Sequence, residues 1–189
     1  MQRAKVDAFR LYIYGTSTTE KDLPSRQGCG DKAADEAHKY LLNAGKVHGA
    51  VMCGECQKPC CIYSATKLSD AEANAVEQAK ESNVYTCGSE LLSQDHHLAS
   101  AVIVCIGITC QSPIEMTYYA ATHVHFPDAC YYCGETDADL LLDDPYIKEL
   151  KQQFATVRPL CRQCRNAGKE AKTRAPNNMA PCAKRIKLN

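Results

Sequence analysis

The residues best suited to chemistry in this chain are cysteines that occur in closely spaced pairs. The segments Cys130-Tyr-Tyr-Cys133 and Cys161-Arg-Gln-Cys164 form two C-x2-C pairs with 27 residues between them. A C-x2-C turn places two thiolates on one edge of a tetrahedron, and Zn²⁺ prefers four soft donors at tetrahedral corners. The two pairs therefore predict one four-cysteine zinc site made by Cys130, Cys133, Cys161 and Cys164.

A tight turn and a helix are expected to position these thiolates. Gly134 directly follows the first pair and suits a knuckle turn, because glycine adopts positive φ without steric cost. A short helix over residues 165–172 would hold Cys161 and Cys164 at its first turn, where free N–H groups and the helix dipole favour thiolates. With a hairpin between the pairs, these pieces resemble the treble-clef and zinc-ribbon class of metal-binding modules. That resemblance implies a structural zinc ion.

A second group of cysteines lies upstream and predicts a second site. Its first two members form another C-x2-C pair, and the other two come from later segments of the chain. The four candidate ligands are Cys53, Cys56, Cys87 and Cys110. Cys60 or Cys61 could replace Cys87, so one ligand of this site stays open. The sequence thus predicts Zn²⁺ as the cofactor, with two sites expected and one at minimum.

The cysteine content raises disulfide bonds as the alternative to metal. Thirteen cysteines in 189 residues approach the content of disulfide-bonded secreted domains, but the odd number leaves at least one thiol unpaired. The first ten residues lack the apolar core of a signal peptide, and the best apolar run, residues 99–108, is too short to cross a bilayer. These observations favour a reducing compartment, in which clustered cysteines bind metal, and predict no membrane partner.

Charge is unevenly distributed along a chain whose formal net charge is zero. From Arg158 to Asn189 there are nine Lys or Arg residues and one acidic residue, a surplus of eight positive charges that residues 1–157 balance. A basic face on the ligand-bearing helix and beyond it could bind nucleic-acid phosphates, with an affinity that falls steeply as salt rises. The candidate contact residues are Arg158, Arg162, Arg165, Lys169, Lys172 and Arg174.

The last nine residues, Pro181-Cys-Ala-Lys-Arg-Ile-Lys-Leu-Asn189, closely resemble the nuclear localisation signal of the Myc oncoprotein. The shared pattern is Pro-x-Ala-Lys-Arg-hydrophobic-Lys-Leu. The resemblance implies nuclear import, with Lys184, Arg185 and Lys187 in the acidic pockets of importin-alpha. The alternative is a solvated basic end, or one that touches nucleic-acid phosphates.

Hydrophobic periodicity and end signals predict an α+β fold made of small zinc-stabilised, treble-clef-like modules with short β-hairpins and helices. Two Ser-x-x-Glu capping boxes, at Ser69 and Ser112, mark helix starts. Besides the ligand-bearing helix, the predicted helices span residues 31–43, 69–82, 115–122 and 145–154, and a buried strand spans 101–108. The predicted domains are a leader (1–28), an N-terminal zinc-binding module (29–122), a C-terminal treble-clef-like zinc module (128–174) and a disordered basic tail (175–189).

No catalytic sequence motif is evident. Cys53-Gly-Glu55 supplies the C-x-E part of a zinc-deaminase signature, but no P-C-x-x-C follows it. Both predicted sites use four cysteines, and such sites are closed and structural, whereas catalytic zinc keeps one position open for water. We therefore expect a protein that is not an enzyme.

Two functions fit these observations. The first is a nuclear zinc-binding adaptor, whose metal-stabilised fold presents a surface to an unknown nuclear protein and whose tail binds importin-alpha. The second is a nucleic-acid binder that places the basic C-terminal helix and tail on DNA or RNA. The acidic body favours the first function, and the clustered basic residues favour the second.

Overall fold

The structure, a computed structural model, describes residues 32–136 and 139–176. Within these ranges it contains four α-helices and two small antiparallel sheets, which confirms the predicted α+β class. None of the helices described is both long and apolar enough to cross a bilayer. The predicted leader and the import residues Lys184, Arg185 and Lys187 lie outside the described residues, as does the tail beyond Pro176.

A three-stranded sheet forms the larger part of the fold. Its strands are β1 (Val47–Met52), β2 (Pro59–Ser64) and β3 (Val102–Val104), in the order β1-β2-β3. Every residue of the central strand β2 is buried. Because Met52 pairs with Pro59, the turn between β1 and β2 consists of residues 53–58, which contain the first C-x2-C pair.

The helix α2 (Asp70–Ser82) begins at the predicted capping box. Ser69 Oγ accepts a hydrogen bond from the Glu72 amide at 3.4 Å, and the Glu72 carboxylate accepts one from the Ser69 amide at 2.7 Å. The capping box therefore satisfies two of the backbone donors at this helix start. The helix buries Val76 in the same apolar core as the sheet.

The first described helix, α1 (Lys32–Ala37), is shorter than the predicted span of 31–43. Its Asp35 carboxylate accepts hydrogen bonds from the amides of Ile106 (2.8 Å) and Gly107 (2.6 Å). Those amides are consequently taken out of any strand ladder. This explains why β3 ends at Val104, whereas the apolar run predicted a strand through residue 108.

The second predicted capping box is wrong. Ser112 Oγ accepts from the Thr109 amide at 3.0 Å, within a turn and not at a helix start. Glu115 is drawn into the core, where its carboxylate accepts from the Cys61 amide (2.8 Å) and from Tyr63 Oη (2.6 Å) of β2. With Glu115 bound to the sheet, only a single 3-10 turn forms between residues 118 and 120, in place of the predicted helix.

The second sheet belongs to the C-terminal part of the described chain. The helix α3 (Pro145–Gln153) forms where the sequence predicts one over residues 145–154, with Asp144 as its cap, and β4 (Phe154–Val157) follows at once. The ligand-bearing helix α4 (Arg162–Asn166) starts three residues earlier than predicted, because Cys161 caps it.

The strand β5 (Thr173–Pro176) follows α4 and pairs antiparallel with β4. The expected hairpin between the two cysteine pairs is therefore absent among the described residues, because β4 finds its partner after the ligand-bearing helix. Two residues of the predicted tail, Ala175 and Pro176, belong to this strand.

Cysteines are central members of the apolar cores. The largest core lies between the sheet and α2, a second lies on the other face of the sheet, and a third lies around α3. The buried cysteines of the three cores are, in order, Cys53, Cys56, Cys60 and Cys87; Cys61; and Cys130 and Cys161. Candidate metal ligands of both sites are therefore also core residues.

Candidate metal centres

The first cluster brings together the four cysteines predicted for the upstream site, which are Cys53, Cys56, Cys87 and Cys110. Their sulfurs all lie within 4.8 Å of one another. The Sγ–Sγ distance is 3.6 Å both from Cys53 to Cys110 and from Cys56 to Cys87. A tetrahedral zinc ion with Zn–S bonds of about 2.3 Å requires sulfurs about 3.8 Å apart. The donor set therefore fits one zinc ion.

The turn from β1 to β2 shapes the knuckle of this first site. The Cys53 amide donates to the Lys58 carbonyl at 3.0 Å, and the Gln57 amide donates to the Cys53 carbonyl at 2.8 Å. Gln57 has a φ of 58°, a left-handed conformation that is uncommon outside glycine. The Gly54 amide binds the Tyr85 carbonyl at 2.8 Å, and this bond brings the segment of Cys87 to the knuckle.

Hydrogen bonds converge on the sulfur of Cys53. The amides of Cys56 and Cys87 donate to it at 3.5 and 3.3 Å. The pKa of Cys53 is lowered, chiefly because Cys110 bonds to its sulfur, and the same bond raises the pKa of Cys110. Thiol protons therefore bridge sulfurs of the first site, and a bound cation would displace these protons.

A fifth thiol borders the first site. Cys60 Sγ lies 3.7 Å from Cys87 Sγ and is buried. Cys61, the next residue of β2, faces the other core, where Thr117 Oγ1 donates to its sulfur at 3.6 Å. Of the two alternatives to Cys87 that the sequence left open, Cys60 is therefore close to the site and Cys61 is not.

A buried carboxylate also borders the first site. Glu55 lies inside the knuckle with 1% of its surface exposed, and its Oε2 accepts from Cys110 Sγ at 3.3 Å. Sequence reasoning used Glu55 only to test for a deaminase signature. Its burial beside the fourth sulfur could not be inferred from spacing, because Cys110 is remote in the sequence.

The second cluster consists of Cys130, Cys133, Cys161 and Cys164, whose sulfurs also lie within 4.8 Å of one another. Cys133 Sγ and Cys161 Sγ are 3.5 Å apart, close to the spacing that a zinc ion requires. Cys130 and Cys161 are fully buried, and the other two are half-buried. This cluster therefore lies nearer to solvent than the first, but its donor set fits the same ion.

The knuckle of the second site ends at the glycine that the sequence singled out. The Gly134 amide donates to the Cys130 carbonyl at 2.8 Å, and Gly134 has a φ of 78°. On the other side of the site, Cys161 Sγ accepts from the Cys164 amide at 3.3 Å and so caps α4. The predicted turn and helix thus position the sulfurs.

One thiol of the second site has a pKa well below those of Cys133 and Cys164. A hydrogen bond from Cys133, with help from backbone amides that include that of Cys161, lowers the pKa of Cys130 to about 4. Burial raises the pKa of Cys164 to about 12. As in the first site, one sulfur collects hydrogen bonds while others keep their protons until a cation displaces them.

The two sites share one hydrogen-bond pattern. In each, the amide of the first cysteine binds the carbonyl five residues later, and the amide four residues later binds the carbonyl of that cysteine. The amide of the residue after the first cysteine donates to the carbonyl of the residue two positions before the third cysteine. The amide of the third cysteine donates to the sulfur of the first cysteine. The equivalent residues are Cys53 and Cys130, Gly54 and Tyr131, Gln57 and Gly134, Tyr85 and Pro159, and Cys87 and Cys161.

Sequence reasoning missed this repeat because the equivalent positions share only cysteine. The pattern is made by backbone groups, which leave no trace in residue type except where positive φ favours glycine. At that position the first site has Gln57 in place of a glycine.

The six basic residues predicted to contact nucleic acid lie on α4 and its flanks. Arg158 is half-buried and the other five are exposed. None of the ion pairs found in the described part of the chain includes any of them. Three of the six lie over tyrosine rings, with centroid distances of 4.9 Å for Arg158 over Tyr119, 3.8 Å for Arg165 over Tyr146 and 5.6 Å for Lys169 over Tyr132.

Comparison with known proteins identifies no relative. No protein-family model matches the chain, and no curated protein or solved structure matches it. The geometry of the sulfurs is therefore the basis for assigning two metal sites.

Proposed function

We propose that the protein is a nuclear zinc-binding adaptor, in which two structural zinc ions hold a surface for another nuclear protein. The observation that carries the proposal is the convergence of two sets of four thiols, each spaced for one ion. Four protein ligands fill a tetrahedral site and leave no position for substrate or water. A structural role, and not catalysis, follows from that donor set.

Native mass spectrometry of the chain purified under reducing conditions tests the metal assignment. We expect two zinc ions per chain and loss of both after prolonged chelation, because each site holds one ion. A folded, metal-free product would contradict the proposal. A single bound ion would limit it to one site.

We assign the second site to the treble-clef type. Its knuckle turns at Gly134, and a helix that begins at Cys161 supplies the last two ligands. The departure from that type lies between the pairs, where α3 and β4 replace a hairpin. A structure of the zinc-loaded chain with a hairpin ahead of α4 and no α3 would contradict this packing.

A cleft of about 280 Å³ between the two parts of the chain supports the adaptor role. Its walls combine aromatic and aliphatic side chains with two cations and one carboxylate, and include Tyr119, Phe126, Asp128, Ile147, Lys151 and Arg158. The Nε atom of Arg158 is buried without a hydrogen-bond partner among the described residues. A partner segment with a carboxylate beside an apolar side chain would pair with the Arg158 guanidinium and also fill the apolar part of the cleft.

The C-terminal signal supports nuclear import through importin-alpha. The support is the resemblance of residues 181–189 to the Myc signal. Changing Lys184 and Arg185 together to Ala in a tagged chain should release it to the cytoplasm. Unchanged nuclear accumulation would remove this assignment and leave the zinc sites unaffected.

The basic residues of α4 and its flanks favour DNA or RNA binding as a second candidate function. Five of them are exposed and outside the ion pairs found in residues 32–136 and 139–176, so their charge is available to phosphates. Titration of the zinc-loaded chain with DNA and RNA at two salt concentrations tests this function. Binding that weakens steeply with salt would support it, and no binding at low salt would exclude it.

A further inference from the structure

A buried lysine lies between the two metal sites. Lys58 directly follows the first knuckle and has 5% of its surface exposed. Its ammonium donates to the carbonyls of Cys110 (3.0 Å) and Ser112, both beside the fourth ligand of the first site. It also donates to the carbonyl of Tyr132 at 3.4 Å, inside the knuckle of the second site. One side chain therefore bonds to both sites.

The two knuckles also touch at this lysine. A Cβ atom built on Gly134 would lie 2.9 Å from Lys58 Cγ and 3.3 Å from Lys58 Cα. Real side chains do not approach that closely, so the lysine stem occupies the space that a larger residue at position 134 would need. Glycine at position 134 therefore permits both the positive φ of the second knuckle and the close contact between the second knuckle and the first.

Filled sites add negative charge near Lys58, beyond that of the buried Glu55 carboxylate, which accepts a hydrogen bond from Cys110 Sγ. The partners of Lys58 among the described residues are three neutral carbonyls, and a buried ammonium is unfavourable unless opposite charge lies nearby. A zinc ion with four thiolates carries a net charge of about −2, because the thiolates outweigh the ion. Zinc at either site would therefore stabilise the buried ammonium of Lys58, and that ammonium would stabilise the anionic, zinc-bound state of the other site.

We propose that Lys58 couples the two sites, so that zinc at one site raises the affinity of the other. This inference rests on the proposed zinc binding and concerns how the two sites regulate each other. Zinc at the first site fixes Cys110 and its carbonyl, the carbonyl holds the ammonium, and the ammonium holds the Tyr132 carbonyl in the second knuckle. The same contacts act in the opposite direction.

Zinc affinity in a double-mutant cycle tests the coupling. The second site is removed by Cys161→Ser with Cys164→Ser, which changes no residue of the knuckle around Tyr132. The zinc dissociation constant of the first site is then measured in chelator-buffered zinc and compared with that of the full chain. We expect it to rise about tenfold, within the usual range of coupling between sites. In a Lys58→Met background the same removal should change it less than about twofold.

Two matched variants separate the lysine from a general loss of packing. Lys67→Met removes an exposed ammonium near the same sheet and should leave the tenfold effect unchanged. Lys58→Arg keeps a charged donor and should retain at least about a threefold effect. An effect that persists in Lys58→Met, or that Lys67→Met also abolishes, would overturn the proposal.

A second measurement requires no change at Lys58. The first site is removed by Cys53→Ser with Cys56→Ser in the full chain with zinc present, and amide hydrogen exchange is followed in the second knuckle. Exchange at Gly134 should accelerate about tenfold, because coupling is reciprocal. Unchanged exchange there would overturn the proposal even if Lys58→Met fails to fold.

Zinc stoichiometry distinguishes failure of the proposed zinc binding from failure of the coupling through Lys58. If no ion binds the native chain, the proposed function and this inference fail together. A single bound ion would limit the proposed function to one site and would overturn this inference. If two ions bind and removal of one site leaves the other unaffected, the zinc sites stand and only the role of Lys58 is wrong.

Discussion

The two metal sites hold their sulfurs with the same backbone hydrogen bonds but gather them from the chain in different ways. The second site uses two C-x2-C pairs, and α4 begins at its third ligand. The first site uses one such pair and two single cysteines, with β2, α2 and β3 between its ligands. Equal geometry at the metal therefore does not require equal spacing in the sequence.

The surroundings of the two sites differ as much as their spacing. The first lies in a core of 13 buried residues, four of them cysteines, backed by the three-stranded sheet. The second lies in a core of six buried residues, two of them cysteines. A small core supplies little hydrophobic free energy, so metal has to supply more of the folding free energy there. We expect the C-terminal part to depend on zinc more than the N-terminal part does.

Removing the first ligand of each site should give the largest contrast. Cys130→Ser should unfold residues 139–176, a loss of at least about 4 kcal/mol, since zinc binding and folding are one event in so small a core. Cys53→Ser should also lose a zinc ion but keep the β1–β2 pairing. Amide hydrogen exchange with metal analysis would measure both outcomes. Equal unfolding of both parts would show that core size does not set the dependence on zinc.

The fifth thiol of the first site predicts a tolerance that the second site lacks. Because Cys60 Sγ lies 3.7 Å from Cys87 Sγ, the variant Cys87→Ser should still bind two zinc ions, with the first site weakened about 10- to 100-fold by imperfect ligand geometry. Adding Cys60→Ser to that variant should remove the ion, and Cys60→Ser by itself should leave two. Native mass spectrometry measures all three. Loss of the ion in Cys87→Ser itself would contradict this tolerance.

Helix caps test whether secondary structure supports the metal differently in the two parts. Ser69→Ala and Asp144→Ala each remove a side-chain cap and should each destabilise the protein by about 1 kcal/mol. Both helices lie between ligands of their site, but α3 contributes Ile147 to a core of only six buried residues, whereas α2 contributes Val76 to a core of 13. Zinc affinity at the second site should therefore fall up to about fivefold in Asp144→Ala, by the free energy of the lost cap. Zinc competition assays should detect no change in Ser69→Ala.

A smaller difference concerns pH. All six histidines precede Cys130, and His48 stacks on His123 with ring centroids 5.4 Å apart. Burial, with the neighbouring His123, lowers the pKa of His48 below its ordinary value of 6.5. The folded state then binds fewer protons than the unfolded state just below pH 6.5, so this contribution to stability is lost as pH falls through that window.

His48→Gln should therefore reduce the drop in melting temperature between pH 7 and pH 5.5, measured with excess zinc. His123→Gln should produce a smaller change in the same direction, because it removes one cause of the shift. An equal drop in the wild type and in His48→Gln would exclude this origin.

Local signals explain what could be predicted from the sequence. The capping box at Ser69, the helix that starts at Pro145 and the knuckle at Gly134 each depend on a few neighbouring residues, and each formed as expected. Both sets of four cysteines were also brought together. Their spacing sufficed for the second site, while the first depended on matching Cys110 to a remote pair.

Long-range contacts explain the errors. Ser112 and Glu115 have the spacing of a capping box, but β2 offers Glu115 two stronger donors, and the helix is lost. The strand predicted through residue 108 was shortened by Asp35, which lies 71 residues before Ile106. No local pattern could indicate that Glu115 binds β2 or that Asp35 binds the amide of Ile106, because the partners are far apart in the sequence.

The wide spacing of the first site has a consequence for the protein during translation. Cys110 lies 57 residues after Cys53, and at about 5 to 20 residues per second this separation corresponds to roughly 3 to 11 seconds of synthesis. During that interval the nascent chain exposes an incomplete chelator, whose thiols are open to oxidation. Among the ligands of this site, oxidative damage during synthesis would therefore fall first on Cys53 and Cys56.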